Sequence, residues 1–169
     1  MTDHFPEYVD PFALALSGRT IEQTLPLDNF ERVTELLLDK SGSVDIKVVF
    51  GVDEAAVIYL EGVVSADVQL PCQRCMEPMS TPISSSFVMG LVRNEDDFSS
   101  LPESYEPLLV DDKNFSLLAF IEDELILAVP VVVTHPIDEC SASRYLQDSN
   151  VIEEEKKRNP FQILEQLKR

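Results

Sequence analysis

The decapeptide LPCQRCMEPM sets Cys72 and Cys75 three positions apart, between Pro71 and Pro78. Two thiols at that spacing can grip a metal ion, cycle through a disulfide, or simply pack a turn. A redox pair of this kind sits at a helix N-terminus, where the dipole lowers the thiol pKa. Here Pro78, Pro82 and a Ser- and Thr-rich, strand-like stretch follow. No helix can start at Cys72, and a turn between two strands is expected. Structural zinc takes four ligands, usually Cys and His. His135 and Cys140 are the complements this chain offers, so Cys72, Cys75, His135 and Cys140 form the candidate zinc site. The four-residue gap between His135 and Cys140 is unusual for zinc. Small reduced cysteines packed in a turn account for the same residues without a metal.

Other constellations are missing. The glycines, at positions 18, 42, 51, 62 and 90, never cluster, so neither a GxGxxG turn nor a P-loop exists to receive a nucleotide phosphate. The histidines are His4 and His135, the latter held between Thr134 and Pro136, and no serine lies in a nucleophile elbow. Glu122, Asp123 and Glu124 are adjacent on a predicted helix, where successive side chains diverge by about 100°. They cannot converge on one small ion. They are expected on an exposed polar face, with Glu122 or Glu124 alternatively bound to the N-terminal arm or a basic partner. No catalytic residue is assigned, and the chain reads as a non-enzyme.

The elements that would position the cysteines follow from periodicity. Residues 1–26 contain Pro6, Pro11 and Pro26 and read as an extended arm packed on the body. LDNFERVTELLLDKSG predicts a helix over 28–40, with Asp28 or Asn29 as cap, Phe30, Val33, Leu36 and Leu37 on one face, and Gly42 as the stop. Three β-branched runs follow, with Val44, Ile46, Val48 and Phe50 at period two. They predict an antiparallel meander that turns near Asp53–Glu54 and again between Cys72 and Pro78, with a bend or bulge at Gly62. Residues 94–112 read as a loop with one short strand at Leu108–Val110. SLLAFIEDELILAVP predicts a helix over 116–129, capped by Ser116, lined by Leu117, Phe120 or Ile121, Leu125 and Ala128, and ended by Pro130. The fold class is therefore α+β: an antiparallel sheet curled toward a barrel, two main helices and a short C-terminal helix. Residues 1–140 form one globular domain with its arm, 141–158 a flexible linker, and 159–169 a short basic amphipathic helix.

Charge narrows the partners. The 169 residues hold 31 acidic and 13 basic side chains, a net −18. Such a field repels phosphate backbones and anionic lipid and attracts basic proteins. Residues 156–169 run against it with a net +4. There Lys156, Lys157, Arg158, Lys168 and Arg169 accompany the apolar stripe Phe161, Leu164 and Leu167, the candidate partner-binding residues. The N-terminus has no signal-peptide pattern, no run reaches the roughly 18 apolar residues of a membrane helix, and the odd thiol count suits a reducing compartment. A cytoplasmic protein is expected, with neither membrane nor nucleotide among its partners.

CQRCMEP, LPESYEPLLVD, LLAFIEDELILAVPVVVTH, the later EC and the terminal NPFQILEQLKR, in that order, resemble the YceD family, the large ribosomal RNA subunit accumulation proteins, in its proteobacterial branch. The likeness runs from about Leu70 to the C-terminus and is looser before it. It implies a non-enzymatic accessory role in ribosome biogenesis, supporting synthesis, processing or stability of 23S ribosomal RNA. Ribosomal proteins, assembly factors or the large-subunit rRNA precursor would be the partners. Some relatives carry further cysteines near the position of Cys140, where this sequence has one. The alternative is a zinc-binding or thiol-dependent interaction module unrelated to the ribosome.

Overall fold

The computed structural model describes residues 5–110 and 114–146. In chain order the elements are β1 (Tyr8–Val9), α1 (Pro11–Leu16), β2 (Thr20–Pro26), α2 (Glu31–Thr34), β3 (Ser43–Val52), β4 (Ile58–Pro71), β5 (Pro78–Val92), β6 (Glu106–Leu109), β7 (Phe115–Ser116), α3 (Leu117–Ala128) and α4 (Ser143–Leu146). Strands β2 to β6 form one sheet in sequence order, antiparallel except where β6 joins β5 in parallel. The sheet is open, with β2 and β6 as its edges, and does not curl into a barrel.

Alternation dictates which face of that sheet is buried. Val44, Ile46, Val48 and Phe50 point inward, as do Leu60, Val64, Ala66, Val68 and Leu70 on the next strand. Helix α3 closes the inner face. Ser116 caps it by accepting the Ala119 N–H at 3.2 Å, and Leu117, Ile121 and Leu125 are fully buried. The short ladder of β1 and β7 fixes the start of this helix, with Leu117 N–H donating to Glu7 O. The expected stripe holds because its spacing matches the helical repeat.

Four local expectations are corrected. The N-terminal arm is not simply extended: Asp10 caps α1 with Pro11 at the first helical position, and β2 forms a sheet edge. The helix expected over 28–40 is reduced to a 3-10 turn at Leu27–Asn29 and the single turn of α2, with no side-chain cap from Asp28 or Asn29. Leu27, Phe30 and Val33 are buried, but Leu38 N–H donates to Gln69 O at 2.9 Å, which pulls the chain onto β4 and ends the helix. Gly62 makes no bulge, because Val48, Gly62 and Phe87 pair in unbroken register. Its glycine serves close approach instead: a Cβ there would lie 2.5 Å from Lys47 O and 2.8 Å from the Phe87 ring. The expected strand at Leu108–Val110 is β6, which starts two residues earlier and ends one earlier, and a 3-10 helix occupies Glu95–Ser100 within the loop.

The β3–β4 turn forms where expected. Asp53 accepts the Val57 N–H and the Tyr105 hydroxyl, each at 2.8 Å. The Val57 N–H, then the Tyr105 hydroxyl, hold the Asp53 carboxyl below its ordinary pKa, while that carboxylate raises Tyr105.

Two compact units are distinguished, residues 1–134 and the chain from His135 onward. The described part of the second is a turn, closed by Glu139 N–H to Pro136 O, followed by α4. Most of the expected linker and all of the expected C-terminal helix, with the eight basic and apolar residues named above, lie outside the described residues.

Candidate metal centre

The long β4–β5 hairpin pairs as far as Pro71 opposite Pro78, and the six residues beyond must turn tightly. Cys72 N–H donates to Glu77 O at 2.9 Å and Met76 N–H to Cys72 O at 2.8 Å, folding both thiols to one end of the hairpin. Met76 takes φ +64, a left-handed conformation that costs a side-chain-bearing residue about 1 kcal/mol or more. The turn is thus built at some expense.

Gln73 fixes what lies beside it. Its N–H donates to Val133 O and its side-chain amide to Val131 O, both at 2.8 Å. Residues 131–133, the stretch that leads to His135, are thereby tied along the knuckle. No sequence pattern marked Gln73 for this work.

The four residues picked from the sequence come together. Sγ of Cys72, Cys75 and Cys140 and a ring nitrogen of His135 all lie within 4.8 Å of one another. The three cysteines are thiols, not disulfides; Cys72 and Cys140 are buried, Cys75 and His135 half-buried. A tetrahedral zinc with Zn–S bonds of about 2.3 Å separates its sulfurs by roughly 3.7 Å. The cluster is compact enough for that. Arg74, next to Cys75 in the sequence, has its Nη1 shut off from solvent with no hydrogen-bond partner among the described residues. Three Cys and one His are a donor set that could hold a metal ion of the zinc type.

The acidic trio behaves otherwise than expected. Glu122 is not on an exposed face: it is 9% exposed and accepts Arg32 N–H at 2.7 Å and Arg32 Nε at 2.8 Å. Asp123 takes Arg32 Nη1 at 2.7 Å, and Glu124 takes the Ser85 hydroxyl. Glu122, then Asp123, raise the guanidinium pKa above its ordinary value. A glutamate next to Ile121 and three positions before Leu125 was the available signal, since a carboxylate on a buried stripe needs a partner. This network joins α2 to α3.

Residues 60–168 match the sequence profile of the family described as Large ribosomal RNA subunit accumulation protein YceD. A protein of Haemophilus influenzae bearing that description is 36% identical over 166 residues, which span 96% of this chain and 95% of the relative. No solved structure matches the chain. No helix among the described residues is long and apolar enough to cross a membrane.

Proposed function

The chain belongs to the YceD family, and from that premise we propose that it is a non-enzymatic accessory factor that supports accumulation of large-subunit ribosomal RNA in the cytoplasm. The observation that carries this reading is the likeness to the Haemophilus protein over nearly the whole of both chains. A metal- or thiol-dependent module unrelated to the ribosome is the weaker reading. The acidic body, which outweighs the basic tail to leave the whole chain at −18, binds basic ribosomal proteins or assembly factors. Residues 156–169, the basic counter-current in that charge, anchor the protein to the particle or its rRNA through Lys156, Lys157, Arg158, Phe161, Leu164, Leu167, Lys168 and Arg169. Cys72, Cys75, His135 and Cys140 hold one zinc as a structural staple.

Removing the protein from cells should lower the ratio of large- to small-subunit rRNA, and the full chain should restore it. An unchanged ratio overturns the reading. A chain lacking residues 150–169 should stay folded yet leave the pre-ribosomal fractions of a gradient. Metal analysis of the reduced, purified protein should give one zinc per chain, lost with Cys75→Ser; a zinc-free, fully folded protein removes the staple and leaves the ribosomal role untouched.

A further inference from the structure

The outer face of the five-stranded sheet is an unexplained surface. By register, Glu22 lies opposite Lys47, Lys47 opposite Val63 and Val63 opposite Ser86, while Asp45, Ser65 and Ser84 form the neighbouring row. All of these but the half-buried Ser65 are exposed, and so are Glu61, Asp67 and Val88. Three depressions run together across this face. The first, about 330 Å³, is lined by Val49, Val63, Val88 and Glu61. It shares Lys47 and Val63 with a second of about 500 Å³, which in turn shares Asp45 and Ser65 with a third of about 340 Å³ that reaches Asp67. The result is one trough, apolar at the Val88 end and acidic at the Asp67 end.

Its charge is one-sided. Among the described residues that line it, Glu22, Asp45, Glu61 and Asp67 stand against the single cation Lys47, which is tied to Glu22 at 3.2 Å. From Glu61 to Asp67 the trough follows six residues of β4, about 20 Å at ~3.3 Å per residue, the length of nearly four helical turns.

We infer that this trough is the docking site for a lysine- or arginine-rich amphipathic segment of a partner protein, apolar side chains set between Val49, Val63 and Val88 and cations over Asp45 and Asp67. This rests on the proposed function and gives it a surface. A phosphate backbone is repelled by the same carboxylates, and a second copy of this chain would oppose acid with acid.

The test titrates ¹⁵N-labelled full chain with a synthetic 15-residue lysine–leucine helical peptide. Amide shifts should concentrate at 47–49, 61–65 and 84–88. Asp45→Lys with Asp67→Lys should weaken binding at least tenfold. Val63→Asp should do the same although it adds negative charge, with Val63→Thr and a melting curve as folding controls; should Val63→Asp unfold, the exposed Asp45/Asp67 pair carries the reading. Shifts spread over the whole acidic surface, or binding tightened by Val63→Asp, overturn the site. So do shifts at these same strands produced merely by deleting residues 150–169, which would make the chain's own tail the occupant. In cells, Asp45→Lys/Asp67→Lys should depress large-subunit rRNA as far as loss of the protein does. Full rRNA with that variant overturns this face alone. If loss of the protein itself leaves rRNA unchanged, the ribosomal reading fails, and the peptide titration then decides the surface by itself.

Discussion

The inner and outer faces of the sheet are written in the same strands, one residue apart, and obey different constraints. Val64 is fully buried in the core, whereas Val63, the next residue, is 48% exposed on the trough. On the inner face every side chain is held by packing, so its identity is a matter of volume and apolarity. The outer face contributes little to the core and is free to carry a pattern of charge and apolar spots.

Adjacent substitutions break this comparison most sharply. Val64→Asp should unfold the domain, since an unpaired buried charge costs more than about 4 kcal/mol. Val63→Asp should cost less than about 1 kcal/mol, within the range of surface changes. Denaturant melts of the two proteins, side by side, are the check; equal losses would erase the distinction. Phe50→Ala, which only leaves a cavity on the inner face, should cost about 3–5 kcal/mol in the same assay.

A smaller effect is expected where α2 meets α3. Glu122→Ala should cost about 1–3 kcal/mol, because it strands the Arg32 N–H at the start of α2, while Asp123→Ala, removing an exposed partner of the same guanidinium, should cost no more than about 1 kcal/mol. Comparing the two melts weighs the buried contact against the exposed one.

The turn at Asp53 offers a pH signature. Its carboxyl is held below the ordinary value, so its stabilising effect is present above about pH 4 and is lost as pH falls through the lowered pKa. Tyr105 is raised, so its share persists below about pH 10 and is lost as pH rises through the raised pKa. The melting-temperature gap between the native chain and Asp53→Asn should therefore be widest near neutrality and close toward both extremes. The smallest expected change is Met76→Gly. Relief of the left-handed backbone should raise stability by up to about 1 kcal/mol, because the methionine is 71% exposed and gives up little burial.

Much of this was legible beforehand. The alternation in β3, the Ser116 cap, the stripe of α3 and the turn between the cysteines are local, and each follows from a period or a spacing within one element. The sequence also nominated Cys72, Cys75, His135 and Cys140, because few other metal ligands of the right type exist in the chain. What it misread depended on partners far along the chain. The helix over 28–40 looked sound by its own period, but Gln69 captured Leu38 and Glu122 supplied the cap. Gly62 looked like a bulge until Phe87 and Lys47 were seen against it. Side-chain periodicity reports which way a residue faces, and so the sequence by itself determined the two faces of the sheet. Only the tertiary structure decided that Glu122 turns inward to Arg32, that β2 rather than an arm closes the edge, and that separate strands align their valines and carboxylates into one trough. Those outcomes are set by contacts between residues dozens of positions apart, which no local pattern encodes.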